Sequence, residues 1–366
     1  MTDGACTVLR PWPEHAPGPT AIIDCGAYRA PALGAAQVLW DSLGGTLAHI
    51  NAIAVTHFDS DHWRGLAELR NVVGVTRDLG SCSLYYPAMP VALSSSLMAM
   101  LGSPMGTGSV ALDLENCLKP LLSVAGSLRL QALTSASGPI VLAGETFDVL
   151  WPPPSIDRAL SRQIHGAIVA VERLAANLAE RNRPVLSQRI EEALRASDDT
   201  GERSILVPRD GTGDAPDDEM TEDGAFEDEP IDVPVGLEIP EDMLDEYRKV
   251  LKRIRRANNN LSLVLASGSG SLICFGDIGG PALRSVLANL PAHGYQVSLV
   301  PHHGTHHLPL GMPSTRWCIA QGGPQHFARW QANHVHPDKH PSQPCWNTHQ
   351  KGSFQQAPQK PKIELS

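Results

Sequence analysis

Short apolar runs and longer patterns of spacing three and four divide this chain into elements. Thr7-Val8-Leu9 and Thr20-Ala21-Ile22-Ile23 flank the proline-studded residues 11–19, which predicts a hairpin over 5–26. Leu33, Ala36, Val38 and Leu39 predict a helix over 32–44, and Ala52-Ile53-Ala54-Val55 predicts a buried strand. Residues 81–143 are rich in Ser, Gly and Ala, carry few charges and show no period that assigns an element. Val141 to Trp151 reads as two short strands around Gly144. Ile164, Ile168, Val171, Leu174 and Leu178 form one apolar stripe within a long helical pattern, 156–196. Leu244, Tyr247, Leu251 and Ile254 mark another helix. Strands are then predicted at Leu261–Leu265, Ser271–Phe275 and Val297–Val300, with a helix through Leu283, Val286, Leu287 and Leu290 between the last two.

Charge changes the picture in one place. Residues 198–246 hold 19 Asp and Glu against Arg203 and Arg209, so this stretch carries −17 and leaves the rest of the 366-residue chain at +7 within a net −10. Its low hydrophobicity predicts a disordered acidic linker, about 197–243, inside a helical insertion over 156–257. That linker joins packed helices or acts as an arm for a protein partner. The mildly basic remainder keeps a phosphate-bearing substrate open. No apolar run is long enough to span a bilayer, so no membrane partner is expected. Met1-Thr2-Asp3-Gly4 lacks the start of a signal peptide, and the seven cysteines form no CxxC pair. Together these predict a cytoplasmic chain with mostly buried, reduced thiols.

The candidate chemistry lies where strands end. Thr56-His57-Phe58-Asp59-Ser60-Asp61-His62 places four candidate metal ligands directly after a buried strand. Asp277, in Phe275-Gly276-Asp277, and His302-His303-Gly304 repeat that grammar. Imidazole and carboxylate suit Zn²⁺, Mn²⁺ and similar cations. Convergence of the three clusters would supply a two-ion site with Asp277 as the natural bridge. Asp24, at the end of the second strand, reads equally as a carboxylate that orients a ligand histidine or as a turn cap. Nine of the fifteen histidines lie at or after His302. Among these, His306 is a weak candidate for substrate contact, and His307, His334, His336, His340 and His349 read mainly as surface residues.

These motifs resemble the metallo-β-lactamase-fold hydrolases, and within them the hydrolase domain of the competence protein ComEC. The ComEC-like pattern HxDxDHxGG aligns with His57-x-Asp59-x-Asp61-His62-Trp63-Arg64-Gly65. Ile23-Asp24-Cys25-Gly26, Val149-Leu150-Trp151-Pro152-Pro153, Asn260-Leu261-Ser262-Leu263-Val264-Leu265, Gly276-Asp277 and Val300-Pro301-His302-His303-Gly304 follow in the same order. His336-Pro337 and Thr348 to Gly352 resemble the closing strands of that domain. The resemblance implies an α/β fold, an αββα metallo-β-lactamase sandwich with a helical and disordered acidic insertion. Its halves would be 1–155 and 258–354, followed by a polar tail, 355–366.

The resemblance also implies a ligand set. His57 and Asp59 would hold one divalent ion. Asp61, His62 and a histidine of the His302/His303 pair would hold the other, with Asp277 between them. His303 is the favoured ligand, with His302 beside the scissile group. Asp59 stands where most members have histidine, which makes the first site harder and favours Mn²⁺ over Zn²⁺. The only histidine between the first cluster and Asp277 is His165, which reads as structural, so the first site is expected to be weak. The expected activity is metal-dependent hydrolysis by a metal-bound hydroxide, with Asp61 and His302 as catalytic residues. The first expectation is a phosphodiesterase or nuclease acting on DNA or nucleotides. The alternatives are a hydrolase of a small phosphoester, ester, lactone or thioester, and a metal-poor binding or regulatory protein.

Overall fold

The computed structural model describes residues 4–11, 18–27, 32–73, 79–101, 110–122, 126–181, 188, 191, 239–291, 294–306, 308–334, 346–351, 354–356 and 363–365. The chain divides into two compact units. The first comprises Met1–Ala88, Leu114–Pro154 and Asn259–Ser366; the second comprises Met89–Asp113 and Ser155–Asn258.

Every assigned strand lies in the first unit. In chain order these are β1 (Cys6–Leu9), β2 (Thr20–Cys25), β3 (Ile50–Ala54), β4 (Cys82–Pro87), β5 (Leu128–Leu133), β6 (Ile140–Leu142) and β7 (Glu145–Trp151). They continue as β8 (Val264–Ser267), β9 (Leu272–Cys274), β10 (Tyr295–Leu299), β11 (Thr315–Ala320), β12 (Trp346–Asn347), β13 (Phe354–Gln356) and β14 (Ile363–Leu365). One seven-stranded sheet runs β13-β14-β1-β2-β3-β4-β5 and the other β12-β11-β10-β9-β8-β7-β6.

In the first sheet β2 to β5 are parallel. Helices α1 (Ala32–Ser42) and α2 (Ser60–Val73) form the crossovers on either side of β3, as parallel neighbours require. In the second, β9 to β12 are parallel. The apolar faces of the two sheets form one core, with Ile23, Ala54, Phe147, Leu265, Leu272 and Leu299 among its members. This is the mixed α/β architecture of two stacked sheets that the resemblance implies. β2 is buried along its whole length, which explains why it reads as a continuous apolar run rather than an alternating one.

The second unit is helical among the described residues. It contains α3 (Val91–Leu101), α5 (Arg158–Glu180) and all but the last residue of α6 (Leu244–Asn259); α4 (Val110–Leu118) crosses the unit boundary. Asp157 caps α5, its side chain accepting from the Leu160 amide at 2.7 Å. The predicted stripe Ile164, Ile168, Val171, Leu174 and Leu178 is buried. Asn177 donates to Glu246 at 2.8 Å, and the Tyr247 hydroxyl donates to the Met100 carbonyl. Residues 192–238, the greater part of the predicted acidic linker, lie outside the described residues.

The remaining elements are α7 (Gly280–Ala288), α8 (Pro324–His334) and α9 (Thr348–Lys351). Three sequence expectations shift. The strand expected at Leu261 starts at Val264, because Asn260 and Leu261 belong to a turn held by Trp151 Nε1 donating to the Asn260 carbonyl at 2.7 Å. Thr348–Lys351 is a helical turn rather than a closing strand: Asn347 Oδ1 accepts from the His349 amide at 2.9 Å and opens it. Cys318 is disulfide-bonded, whereas Cys6, Cys25, Cys82, Cys117 and Cys274 form no disulfide, so the expectation of reduced thiols fails at Cys318.

Candidate metal centre

The C-terminal ends of β2, β3, β9, β10 and β11 deliver the polar cluster, and each end is built differently. His57 and Asp59 follow β3, while Asp61 and His62 begin α2. The entry into α2 is clamped: the Ala5 amide donates to the Asp61 carbonyl at 2.9 Å, and the His62 amide donates to the Asp59 carbonyl at 3.0 Å. Gly26 lies flat against this entry. A Cβ there would collide with the Asp61 carbonyl and the His62 amide.

After β9, Gly276 adopts a positive φ of 54° with Ser262 and Thr56 against it. The turn places Asp277, whose amide donates to Ser262 Oγ at 3.1 Å. After β10, His302 and His303 both occupy the left-handed region, with φ of 52° and 55°. Asp24 also has positive φ, 56°. Three non-glycine residues in this region at one locus mark backbone held in place by its surroundings, a common property of ligand sites.

The side chains converge. His62 Nε2 lies 3.1 Å from His303 Nε2 and 3.4 Å from Asp277 Oδ1. His303 Nε2 is 3.0 Å from Asp61 Oδ2 and 3.5 Å from Asp277 Oδ2. His57 Nε2 is 3.7 Å from Asp277 Oδ2 and 4.0 Å from Asp59 Oδ2. His57, Asp59, Asp61, His62, Asp277, His302 and His303 are all buried. The candidate donor atoms form two groups, His57/His62/Asp277 and Asp61/His303/His326. All six sequence-derived ligand candidates therefore meet at one locus, with Asp277 in reach of both groups. His62 Nε2 is in reach of both groups, 3.9 Å from Asp61 Oδ2 and 3.1 Å from His303 Nε2, and Asp59 borders the first.

The outer hydrogen bonds fix which imidazole nitrogens face inward. His62 Nδ1 is 2.8 Å from Asp24 Oδ2, which also accepts from the Thr56 hydroxyl at 2.7 Å. His303 Nδ1 donates to the Gln321 carbonyl at 2.7 Å. Both histidines thus carry a proton on Nδ1 and turn Nε2 toward each other and toward Asp61 and Asp277. His57 Nε2 is buried with no hydrogen-bond partner. Two Nε2 atoms 3.1 Å apart and an orphaned nitrogen, all beside buried carboxylates, call for positive charge between them, so these residues fit a divalent cation.

The proton affinities express the same demand. Burial lowers the His62 pKa, but Asp277, Asp24 and Asp61 outweigh it and hold the group well above its ordinary value. Burial likewise opposes protonation of His303, yet Asp277 and Asp61 raise its pKa to about 9. Asp61 and Asp277 lie well below the carboxylate range, because the surrounding histidines outweigh desolvation. His57, pushed down by burial and by His62, stays neutral, as a ligand must be.

Residues 2–139 match the metallo-beta-lactamase superfamily model. Members of that superfamily are generally metal-dependent hydrolases, and the fold implies divalent-metal binding. The match is to the superfamily as a whole and does not single out the ComEC-like branch. No curated protein matches the chain.

His302 stands beside the cluster rather than in either group. Its Nδ1 is 3.7 Å from Asp277 Oδ2 and 3.2 Å from Thr305 Oγ1. The Thr305 hydroxyl proton goes to the His302 carbonyl at 2.7 Å, so Thr305 accepts the Nδ1 proton. His306 packs on the His302 ring at 4.0 Å. His165 lies on α5 of the second unit, outside both ligand groups. His349 contacts Phe327. His307, His336 and His340 lie outside the described residues, as does the His334 side chain.

The sequence reading missed His326. It sits in the first turn of α8 and stacks on His303 with centroids 4.1 Å apart. The available signal was β11 running into Gln321-Gly322-Gly323 with a histidine close behind, the same strand-glycine-histidine grammar as the other clusters. No helix among the described residues is long and apolar enough to cross a membrane.

Proposed function

We propose that this chain is a metal-dependent phosphodiesterase acting on nucleic acid or a nucleotide. The observation that carries the metal-dependent part is the pair of ligand groups within reach of one carboxylate, Asp277. In this reading His57, His62 and Asp277 hold one ion, with Asp59 beside them; Asp61, His303 and His326 hold a second. When bound, the pair supplies Lewis acidity and makes water a nucleophile at neutral pH.

The chain's own groups do the rest. Asp24 and the Gln321 carbonyl keep His62 and His303 turned inward. Asp61 and Asp277 stay ionised and balance the charge of the ions. In this reading His302, whose Nε2 lies 3.4 Å from Asn259 Nδ2, exchanges a proton with the leaving oxygen. The phosphodiester part rests on the carboxylate Asp59 in the first motif, on the ComEC-like order of motifs, and on the net +7 outside the acidic stretch. Zn²⁺ and Mn²⁺ both suit these donors.

A second reading comes from the size of the depression bordered by Asp24, His62, Asp277, His303 and Gln321. It holds about 20 Å³, room for a water molecule or an ion and far below the usual ligand-pocket range of about 300–1,000 Å³. That favours a small phosphoester, ester, lactone or thioester. The separating experiment supplies Mn²⁺ or Zn²⁺ and offers single-stranded DNA, double-stranded DNA and bis-p-nitrophenyl phosphate, beside an Asp61→Ala/His62→Ala control. DNA cleavage lost in the control supports the first reading. Turnover of the small diester alone supports the second. No turnover and no bound metal by elemental analysis would sink both.

A further inference from the structure

Helix α6 carries a feature that the metal centre does not use. Over 248–256 it carries Arg248, Lys249, Lys252, Arg253, Arg255 and Arg256, of which Arg255 is buried, and no carboxylate follows until Asp277. Its apolar face, Tyr247, Val250, Leu251 and Ile254, is buried, which turns Arg248, Lys249 and Arg253 outward and leaves Lys252 and Arg256 partly exposed. Arg248 pairs with the exposed Asp245 at 3.2 Å, a contact that solvent screens strongly. A helix C-terminus favours cations in its last turn. This stripe begins almost three turns before the end, so the macrodipole does not account for it.

We propose that the outward face of α6 is a binding surface for the phosphodiester backbone of a nucleic acid. From Arg248 to Arg256 the helix rises about 12 Å. Phosphates of one strand advance about 3.4 Å per nucleotide along a duplex axis, so the stripe matches roughly three or four of them. Charged heads exposed to water suit contacts to a repeating anion, which need no fixed sequence. The inference rests on the phosphodiesterase reading for its purpose, but the surface is testable apart from catalysis.

The test compares full-length wild type with Lys249→Ala/Arg253→Ala and with the charge-retaining Lys249→Arg/Arg253→Lys. Anisotropy of a short fluorescein-labelled single-stranded DNA is followed over a range of NaCl concentrations. Wild type is expected to bind with a steep salt dependence. The alanine variant should bind several-fold more weakly, with a slope reduced by about 1.4, near 0.7 for each cation removed. The charge-retaining variant should match wild type. Hydrolysis of bis-p-nitrophenyl phosphate should be equal in all three, since none of these residues belongs to the metal centre. Alanine and wild-type curves that coincide, or no DNA binding by wild type, would overturn the surface even if the diester is hydrolysed. DNA binding that depends on Lys249 and Arg253 without diester hydrolysis would uphold the surface and leave the phosphodiesterase reading to fail alone.

Discussion

Asp24 is the residue on which the orientation of His62 turns. One of its oxygens accepts from the Thr56 amide and the other from Thr56 Oγ1 and His62 Nδ1, each within 2.8 Å. Sequence alone left it equally a turn cap, and the contact with His62 separates the two roles. Asp24→Asn keeps the size and an acceptor but removes the charge that holds the His62 proton on Nδ1. We expect metal affinity to fall about 10- to 100-fold. Competition with a chromophoric chelator measures this, and unchanged affinity with a lower melting temperature would return Asp24 to a turn cap. His326 gives a second test at this scale. His326→Ala should reduce bound metal from two ions toward one per chain by elemental analysis. Retention of two would remove His326 from the ligand set. The imidazole of His326 also weakens the case for a metal-poor protein, which rested on a histidine missing from the sequence pattern.

At the scale of elements, the site depends on backbone packed against backbone. Gly26, after β2, lets the first turn of α2 sit directly on it, with the Ala27 amide donating to the Ser60 carbonyl at 3.2 Å. Gly26→Ala must push α2 away and move Asp61 and His62 together. The expected cost is on the order of 2 kcal/mol or more, in the class of overpacked sites, with loss of bound metal. Urea denaturation and metal analysis check both, and a variant with wild-type stability and metal content would show that α2 is not anchored there. The same elements show what periodicity could and could not reveal. β3, β9 and β10 were legible because each is a short apolar run that stops at a His or Asp, the pattern of a buried parallel strand with its polar groups at one end. α3 was not: Val91–Leu101 buries Ser94, Ser95 and Ser96 along with its apolar residues and has no charged face, so no amphipathic period marks it. His326 escaped for a related reason, since it enters from a helix rather than from the strand end itself.

At the scale of the molecule, the ligand groups tie the two sheets of the first unit together. His57, Asp61 and His62 come from the sheet of β2 and β3, and Asp277, His303 and His326 from the sheet of β9 to β11. These carboxylates and imidazoles are buried together, an arrangement that requires positive charge, supplied by protons on His62 and His303 or by a bound cation. A divalent ion that binds only the folded chain therefore stabilises it by mass action, about 2.7 kcal/mol for each site at a free concentration one hundred times Kd. Chelation should lower the melting temperature by several degrees, and restoring Zn²⁺ or Mn²⁺ should recover it. Asp277→Asn, which keeps the fold's hydrogen bond from its own amide to Ser262 but removes a carboxylate within reach of both groups, should melt at the same temperature with and without metal. Wild type that melts identically in chelator and in metal would show that the groups do not bind an ion in the folded state, and the hydrolase reading would fall with it.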